Sequence, residues 1–498
     1  MPADTTPTPT HTPTHTPTPT HTDVLIAGAG PTGLVLALDL ARRGVRTVLL
    51  EKADRLFPGS RGKGLQPRSQ EVLDDLGALP GILAAGSRYP RMLAWEGAER
   101  QHEWDMMESA EPTEQVPYAN ALLIPQHRTQ QVLHERLTEL GGAVRFGAAL
   151  TAFRQDADGV DAELSTGETV RAAYLVAADG GRSTVRRALG IGMTGETVDP
   201  HPMLVADVRL APGTVVDRRN WHVWPKAEGG GVALCPLPGG ADHFQLMAGF
   251  EDAETVVDTA PEAVRGLLTA RTPLTSADVT EVLWASDFRA RAAMADRFRE
   301  GRVFLAGDAA HVHSPAGGQG LNTGVQDAYN LGWKLGQVLR HGAPEALLDT
   351  YEEERLPVAA DVLGISTRIH RASATGENTQ RGAEVQQLGL GYRESSLAVE
   401  TRPGLPDGAL RAGDRAPDGR YDGGRLFDAF RGPHFTLLTV GAEAPVVDAA
   451  AVRTAHLTGA YEPYGTGLFL IRPDGYVGWA GESAAAGLTS YLAGVGVR

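Results

Sequence analysis

The chain has 498 residues, enough for two or three domains, and it carries a formal net charge of -15. This acidic balance argues against a nucleic-acid partner, whose phosphates would require clustered Lys and Arg. The single cysteine, Cys235, excludes an internal disulfide or a thiolate metal cluster and fits a small buried residue in a reducing compartment.

The N-terminal segment repeats Thr, Pro and His, a composition that cannot bury apolar surface. We therefore expect residues 1–21 to form a disordered tail. His11, His15 and His21 could bind a metal adventitiously, but no carboxylates accompany them, so no metal site is expected. No apolar run approaches the length of a membrane span and no signal-peptide pattern is present, so a cytoplasmic location is expected.

The first structural pattern, over residues 22–190, is typical of a doubly wound sheet. From Asp23, DVLIAGAG predicts a strand and a glycine turn, PTGLVLALDLARRG a helix, and VRTVLLEK a second strand. Further helices are expected at 67–76 and 126–140. Residues 143–178 alternate apolar and polar positions, which predicts antiparallel strands leading into YLVAADG and hence a mixed sheet.

A second pattern begins at residue 191. Residues 191–285 contain short strand-like runs separated by Gly and Pro, which predicts an inserted domain with an antiparallel sheet. The buried-strand pattern returns at RVFLAGDAAH and leads to a helix from about 321 to 340, so residues 286–400 should complete the first domain. Beyond a Gly/Pro-rich segment, residues 401–498 predict a small unit of strands and a helix.

The first chemical motif is GAGPTG, which lies between a predicted strand and a predicted helix. Gly28 permits the tight turn, Gly30 lets a pyrophosphate approach the backbone, and Gly33 allows the helix to pack closely on the strand. The helix N-terminus would stabilise the phosphate charge, and Glu51 at the end of the next strand could bind an adenosine ribose. Alone, this motif indicates a dinucleotide site without separating FAD from NAD.

Two further turns follow buried strands. In YLVAADGGRSTVR, Asp179 and Gly180 end a strand and Ser183 can cap the next helix. In RVFLAGDAAH, Gly307 and Asp308 end a strand at a position suited to a ribityl hydroxyl. Taken singly, each motif could also be an ordinary strand-to-helix turn.

The loop PAGGQGLN, from Pro315 to Asn322, opens a helix. A reduced flavin carries negative charge near N1 and the C2 carbonyl. Backbone N–H groups from Gly318 to Leu321, aided by the positive end of the helix dipole, would stabilise that charge. Side chains at Gly318 and Gly320 would crowd the ring, which explains the glycines.

In combination, GAGPTG, DGGRSTVR and GDAAHVHSPAGGQGLNTGVQDAYNLGWKL resemble the class A flavoprotein aromatic hydroxylases, the group of para-hydroxybenzoate and phenol hydroxylases. The resemblance covers residues 23–360. Within the group, the chain is most similar to actinobacterial aromatic polyketide hydroxylases and rifampicin monooxygenase. GDRAPDG and LIRPDGYVGWAG resemble the thioredoxin-like appendage of those enzymes. Because this appendage has no Cys-x-x-Cys here, we expect it to serve packing or homodimer formation.

The resemblance implies an α/β fold with three parts. Residues 22–190 and 286–400 would form a Rossmann-like FAD-binding domain with a mixed sheet. Residues 191–285 would be the inserted antiparallel-sheet domain that binds the substrate, and residues 401–498 the thioredoxin-like C-terminal domain.

The resemblance also implies roles for single residues. Arg61 and Gln126 would contact the phosphate and ribityl regions of FAD, although an exposed arginine and a helix-capping glutamine would explain them without FAD. Asp308 would hold the ribityl chain. The full set of expected cofactor-binding residues is Gly28, Gly30, Thr32, Gly33, Glu51, Lys52, Arg61, Gln126, Asp179, Gly180, Gly307, Asp308, Pro315, Gly318, Gly320, Leu321 and Asn322.

The implied reaction uses NADPH or NADH as a transient reductant of FAD, and O2 to form a C4a-hydroperoxide. One oxygen atom then passes to a large phenolic or quinonoid secondary metabolite. No second Rossmann unit is visible for the nicotinamide, and none exists in the resembling group. Trp221, Trp224 and Met247 are candidates for an apolar substrate wall, with ordinary core packing as the alternative.

No catalytic base can be named from the sequence. His222, His243 and Tyr118 fall in or near the expected substrate region, but packing or surface positions explain them better. A flavin-dependent halogenase is disfavoured, because WHVWP at Trp221 has the wrong spacing for that family's Trp-x-Trp-x-Ile-Pro motif. Baeyer–Villiger oxygen insertion, antibiotic-inactivating oxidation and a non-catalytic flavin or aromatic-ligand carrier stay open as alternatives.

Overall fold

The computed structural model describes residues 20–374, 381–447, 451–484 and 487–497. The tail predicted over residues 1–21 lies outside the described residues up to residue 19, as do His11 and His15. His21 lies in the first strand. Within the described ranges, no helix is both long and apolar enough to cross a membrane.

The N-terminal part of the chain alternates strands and helices up to residue 188. The predicted helices at 67–76 and 126–140 are confirmed as α2 and α4. In chain order, the elements are β1 (Thr20–Ala27), α1 (Pro31–Arg42), β2 (Thr47–Leu50), β3 (Gly64–Leu65), α2 (Pro67–Asp75), α3 (Leu79–Ala85), β4 (Ser87–Arg88), β5 (Arg91–Glu96), β6 (Glu99–Trp104), β7 (Leu122–Leu123), α4 (Gln126–Glu139), β8 (Val144–Arg145), β9 (Leu150–Gln155), β10 (Val160–Leu164), β11 (Thr169–Ala177) and α5 (Thr184–Ala188).

The middle part begins with long strands and ends with two long helices. The helix predicted from about 321 to 340 is confirmed as α7. The elements are β12 (Met193–Leu210), β13 (Asn220–Trp224), β14 (Val232–Pro236), β15 (His243–Gly249), α6 (Pro261–Arg271), β16 (Val279–Ala295), β17 (Arg299–Glu300), β18 (Val303–Leu305), β19 (His311–Val312), α7 (Gly320–His341) and α8 (Thr350–Ala374).

The C-terminal part contains shorter elements. They are β20 (Val399–Glu400), β21 (Arg420–Tyr421), β22 (Gly424–Arg425), α9 (Leu426–Phe430), β23 (Phe435–Val440), β24 (Val452–Leu457), β25 (Gly467–Ile471), β26 (Val477–Gly481) and α10 (Leu488–Gly494).

The first sheet has the order β17-β18-β11-β1-β2-β8, and β9 and β10 extend it beside β11. β1 pairs in parallel with β2 and β11, whereas β10 pairs with β11 antiparallel. The sheet is therefore mixed, as predicted. β1 is apolar over consecutive residues because both of its faces are covered, and its residues from 24 to 26 have no exposed surface. Helices α1 and α7 pack against each other over it.

The second sheet has the order β19-β16-β12-β15-β14-β13-β5-β6 and is largely antiparallel. Its centre is the long pair β12 and β16, and one of its faces packs against α6. The hairpin of β5 and β6, residues 91–104, belongs to this sheet because β5 pairs with β13. The sequence analysis places these residues in the first domain, because an alternating run shows that a strand forms but not which sheet it joins.

The third sheet, β20-β26-β25-β23-β24, contains parallel and antiparallel pairs and forms the expected thioredoxin-like C-terminal unit. It packs on α7, where the ring of Trp333 meets Phe435 edge-on at 5.8 Å between ring centroids. The predicted α/β fold class, with its inserted antiparallel sheet, is confirmed.

Candidate functional site

The glycine turn between β1 and α1 combines two packed positions with one open position. A Cβ atom on Gly28, whose φ is +105°, would collide with the carbonyl oxygen of Ala178, and one on Gly33 would collide with the carbonyl oxygen of Gly28. A Cβ on Gly30 would meet nothing within 4 Å. The turn therefore presents open backbone at the N-terminus of α1, as a diphosphate site requires.

Glu51 fastens this turn to the end of β2. Its Oε2 accepts a hydrogen bond from the backbone N–H of Ala29 at 3.2 Å, and its Oε1 accepts one from Ala53 at 3.1 Å. The carboxylate keeps further acceptor capacity at the edge of the turn. The neighbouring Lys52 is exposed.

The second predicted turn caps a short helix. Asp179 Oδ2 accepts the N–H of Thr184 at 2.7 Å, and Ser183 Oγ accepts the N–H of Arg186 at 3.0 Å, which confirms the predicted serine cap. Asp179 Oδ1 is buried and has no hydrogen-bond partner within the described ranges. Gly180 has a φ of +83° and open space beside it.

The third turn brings β18 against the start of α1. A Cβ on Gly307 would lie 2.5 Å from Thr32 Oγ1, and one on Gly324 of α7 would lie equally close to it. Thr32 thus fills the junction of three elements. Asp308 keeps accessible surface although protein surrounds it, and burial raises the pKa of its carboxyl group. This combination places Asp308 in the wall of a recess.

The loop from Pro315 to Asn322 borders the same recess. The Cβ position of Gly320 lies 3.9 Å from Asp308 Oδ1, and the carbonyl oxygen of Pro315 accepts the N–H of Gly318 at 3.1 Å. The three turns and this loop therefore form one continuous line of contacts from Gly28 to Asn322.

Asn322 holds this loop rather than facing the recess. The residue has no exposed surface. Its Oδ1 accepts the N–H of Gln66 at 2.8 Å, and its Nδ2 donates to the carbonyl oxygens of Gly64 and Gly318, each at 2.9 Å. The segment around β3 is thereby fixed beside the glycine loop.

Gln126 fixes the preceding segment in a similar way. Its Oε1 accepts the N–H of Gly62 at 3.0 Å, and its own N–H donates to the carbonyl oxygen of Gly62 at 2.9 Å. A Cβ on Gly62 would lie 2.9 Å from Leu321 Cδ1. Gln126 is the first residue of α4, but in the described structure its side chain makes no capping hydrogen bond, so the helix-capping alternative does not account for it.

Arg61 is exposed, and its side chain contacts β16 of the second sheet. Its guanidinium donates to Ser286 Oγ at 3.0 Å and lies over the rings of Phe57 and Trp284, 5.5 and 5.8 Å from their centroids. This position agrees with the alternative in which Arg61 is an exposed arginine that needs no contact with FAD.

The three candidates for a substrate wall lie on different faces. Trp224 packs in the core of the second sheet, where its ring stacks on Trp95 at 5.4 Å and its Nε1 donates to a backbone carbonyl at 3.1 Å. Trp224 therefore matches the alternative of ordinary core packing rather than a substrate wall. Trp221 and Met247 lie on the opposite face, where both contact the Lys63 side chain.

The titratable residues near the expected substrate region are structural. His222 is fully buried between the indole N–H of Trp95, at 2.9 Å, and a backbone carbonyl, and burial lowers its pKa. Burial also lowers the pKa of His243, to about 4. Tyr118 lies beside Arg425 of the C-terminal unit, with its hydroxyl 3.4 Å from the guanidinium. In the described part of the chain, none of these three side chains forms a hydrogen bond or a ring contact with the loop from Pro315 to Asn322.

The structure also reveals a group of polar side chains that was missed in the sequence. We call Lys63, Tyr89, Asp207, Gln245 and Arg381 the Lys63 cluster. Asp207 and Gln245 face each other across β12 and β15, and Lys63 Nζ donates to Gln245 Oε1. A polar residue inside each apolar strand was a local signal, but the shared face depends on strand register.

Two family models match the chain. The model of an FAD binding domain matches residues 21–366, more than half of the chain, and that of the C-terminal region of aromatic-ring hydroxylases matches residues 409–495. The second match spans the strands β21 to β26.

Full-length relatives and a solved structure agree with these matches. A flavin-dependent monooxygenase of Mycobacteroides abscessus is 48% identical over 487 residues, covering 95% of this chain and 99% of the relative. A 12-dehydrotetracycline 5-monooxygenase/anhydrotetracycline 6-monooxygenase of Streptomyces rimosus is 36% identical over 512 residues, covering 94% and 98%. Aklavinone-11 hydroxylase, solved with FAD and aklavinone, has a TM-score of 0.80 at 31% identity, covering 95% and 98%.

Proposed function

Since this chain belongs to the class A flavoprotein aromatic hydroxylases and is an FAD-dependent monooxygenase, we propose that it hydroxylates a large phenolic or quinonoid secondary metabolite. O2 is the oxygen donor, and NADPH or NADH is the transient reductant. The observation that carries the proposal is the line of contacts in which open glycine backbone, Asp308 and the glycine loop follow one another in the order of the parts of FAD.

The residues around this recess fit FAD. The open backbone at Gly30 would take the diphosphate, with the N-terminus of α1 supplying the positive end of a helix dipole. Glu51 would accept hydrogen bonds from the adenosine ribose, and Asp308 would hold the ribityl chain. Asp179 Oδ1, buried without a partner in the described chain, offers one further acceptor beside the turn.

Bound FAD, once reduced, supplies the activation of O2 and the transfer of one oxygen atom. The chain's own contribution would be to present the loop from Gly318 to Leu321 to the flavin ring and to exclude water from it. Asn322 and Gln126 hold the backbone segments on either side of β3, so the loop keeps a fixed position. Preorganised N–H groups need no reorganisation when charge develops.

The names of the relatives support the substrate class. The Streptomyces rimosus relative is named as a monooxygenase of 12-dehydrotetracycline and anhydrotetracycline, and the aklavinone-11 hydroxylase was solved with aklavinone. Trp221 of the second sheet and Tyr89, which lies just before β5, stack at 6.4 Å between ring centroids beside Lys63. Such a wall suits a planar polycyclic ring system.

The experiment is a screen of NADPH and NADH consumption across phenolic polyketides and ansamycins, with the mass of each product. We expect a yellow protein whose reductant use is stimulated by a polycyclic phenol and whose product gains one oxygen and keeps every ring. A product with an expanded or opened ring would indicate Baeyer–Villiger insertion instead. A bound flavin that neither reductant bleaches would indicate a carrier and would reject the proposal.

A further inference from the structure

Helix α2 is joined to the C-terminal unit by a buried ionic group. Glu71 accepts hydrogen bonds from Arg415 Nε at 2.8 Å and from Arg68 Nη1 at 2.7 Å. Arg68 Nη2 donates to the carbonyl oxygen of Asp474 at 2.6 Å. We call Arg68, Glu71 and Arg415 the Glu71 cluster, and all three of its side chains are buried. Because Arg415 and Asp474 belong to the C-terminal unit, the cluster fixes α2 to that unit.

The Glu71 cluster restricts geometry more than it adds stability. Compared with well-packed apolar side chains, a buried ion pair is close to neutral for folding, because desolvation offsets the attraction between the charges. Both Nε and Nη2 of Arg415 donate to the Glu71 carboxylate, so the planar guanidinium meets it as a fork and allows few other arrangements. The cluster therefore sets the position of α2 against the C-terminal unit.

The start of α2 borders the glycine loop. Gln66 directly precedes the first helical residue, and its backbone N–H donates to Asn322 Oδ1 at 2.8 Å. Its side-chain Nε2 lies 4.0 Å from the position of a Cβ on Gly318. Arg68 and Glu71 follow Gln66 within one and a half helical turns. A shift of α2 at the Glu71 cluster would therefore move Gln66 against the loop.

The fold leaves part of the Gln66 carboxamide without a partner. The side chain is 2% exposed, yet it makes no hydrogen bond that caps α2. Within the described ranges of the chain, its Oε1 is buried and has no hydrogen-bond partner. Such an unpaired buried atom costs about 1 to 3 kcal/mol of folding free energy, so a partner from outside the chain is expected. A flavin offers one, because the C2 carbonyl, N3–H and C4 carbonyl of its pyrimidine edge complement a carboxamide.

We propose that the Gln66 carboxamide binds the pyrimidine edge of the flavin ring and that Arg415, acting through Glu71 and α2, holds it there. Gln66 is then a cofactor contact and Arg415 a positioning residue, so the C-terminal unit acts on the cofactor without touching it. The inference rests on the proposed function, since it uses the placement of the flavin ring against the glycine loop. Donation from Nε2 to a ring carbonyl that gains negative charge on reduction favours reduced FAD and raises its midpoint potential.

The test is the midpoint potential of FAD bound to the full chain, measured against a reference dye without substrate or O2. Gln66→Leu should lower the potential by about 30 mV or more, which is a tenfold loss of preference for reduced FAD in a two-electron couple. Gln66→Glu keeps the shape of the side chain but puts a carboxylate beside the charged ring, so it should lower the potential further. Arg415→Met should lower the potential as well, and Arg415→Lys should restore most of it.

A double variant and a matched control separate positioning from general stability. Because Arg415 acts through Gln66, Arg415→Met should cause no further change of potential in a protein that carries Gln66→Leu. Arg431 also joins the C-terminal unit to α2, through an ion pair with Asp74 at 2.9 Å, but its side chain is exposed and the pair lies near the end of the helix. Arg431→Met should therefore leave the potential at the parental value.

Three results would overturn the inference. They are a potential that the Gln66 variants do not lower, an equal loss from Arg415→Met with and without Gln66→Leu, and an equal loss in Arg431→Met and Arg415→Met. If Gln66→Leu binds no FAD, the isosteric Gln66→Glu decides the first result. The proposed function fails separately: a parent whose potential depends on Gln66 but that oxygenates no phenol has the contact without the reaction. A parent that makes product although Gln66 leaves the potential unchanged has the reaction without the contact.

Discussion

At the scale of single residues, the three glycines of the first turn have separate causes. Gly28 and Gly33 are required by packing, since a Cβ on either would collide with a backbone carbonyl. Gly30 has an ordinary φ of -70° and open space around it. Packing therefore explains Gly28 and Gly33, whereas only a bound ligand explains Gly30. A substitution at Gly30 can test this difference.

Gly30→Val should leave the fold intact and weaken FAD binding. The valine side chain would enter the space that the diphosphate needs, so we expect at least a tenfold weaker Kd for FAD, about 1.4 kcal/mol, and an unchanged Tm of the apoprotein. Flavin fluorescence titration of the apoprotein measures the first quantity and calorimetry the second.

Gly266→Val is the matched control, because Gly266 is an exposed helix glycine whose Cβ would also meet nothing within 4 Å. It should bind FAD as the parent does. Stoichiometric FAD at parental affinity in a protein carrying both Gly30→Val and Asp308→Ala would contradict the assigned position of the cofactor.

Asp207 should make stability depend on pH. Burial raises the pKa of Asp207 from 3.8 to about 6, although Ser60 and the positive charge of Lys63 lower it in part. Between these values the folded protein holds a proton that the unfolded chain releases, so this residue lowers stability as pH rises from about 4 to about 6. Asp207→Asn removes that loss, and its stability relative to the parent should rise by up to about 3 kcal/mol over this range.

Urea denaturation of both proteins at about pH 4.5 and about pH 7.5 measures the difference. Asp407→Asn, at an exposed position, should show a difference that does not change with pH. A constant offset between Asp207→Asn and the parent at both pH values would mean that Asp207 titrates alike in the folded and unfolded states.

At the scale of helices and strands, local sequence patterns predicted which elements form but not always which strands pair with each other. α2, α4 and α7 were predicted because a helix-period pattern and its end signals lie within one segment. The hairpin of β5 and β6 joins the second sheet through pairs such as Asn220 with Arg91. Residues so far apart in sequence leave no local signal of that pairing.

The same distinction applies to the site. The glycine turns were visible because each turn is a contiguous motif with its own steric cause. The Lys63 cluster was not, because Lys63 precedes β3 whereas Asp207 and Gln245 lie on β12 and β15, and the shared face of Asp207 and Gln245 depends on register. Arg381 carried no signal at all, since it stands alone in an irregular segment.

At the scale of the whole molecule, buried charges join the C-terminal unit to the first domain. Glu354 of α8 accepts hydrogen bonds from Lys334 of α7 at 2.7 Å and from Arg472, near the end of β25, at 2.6 Å. Asp474 binds Arg472 and accepts the indole N–H of Trp333 at 3.1 Å. The appendage therefore shares one ionic core with the helices that follow the glycine loop.

Glu354→Ala should destabilise the protein by about 3 to 5 kcal/mol, because it leaves two buried cations with one carboxylate fewer. Denaturant unfolding followed by tryptophan fluorescence measures this loss. Asp361→Ala, at an exposed position of the same helix, should stay within about 0.5 kcal/mol of the parent. A loss below about 1 kcal/mol for Glu354→Ala would show that the two units do not depend on this cluster.

The strand β19 comes three residues after Asp308 and pairs with β16, Val312 opposite Ala293 and His311 opposite Met294. The second sheet is therefore assembled from three separate stretches of chain, residues 91–104, 193–295 and 311–312. Anyone transplanting substrate preference between relatives would have to exchange all three stretches together. A graft of the middle stretch alone would meet foreign partners at both edges of the sheet, and β19, at one of those edges, lies between Asp308 and the glycine loop that are proposed to hold the cofactor.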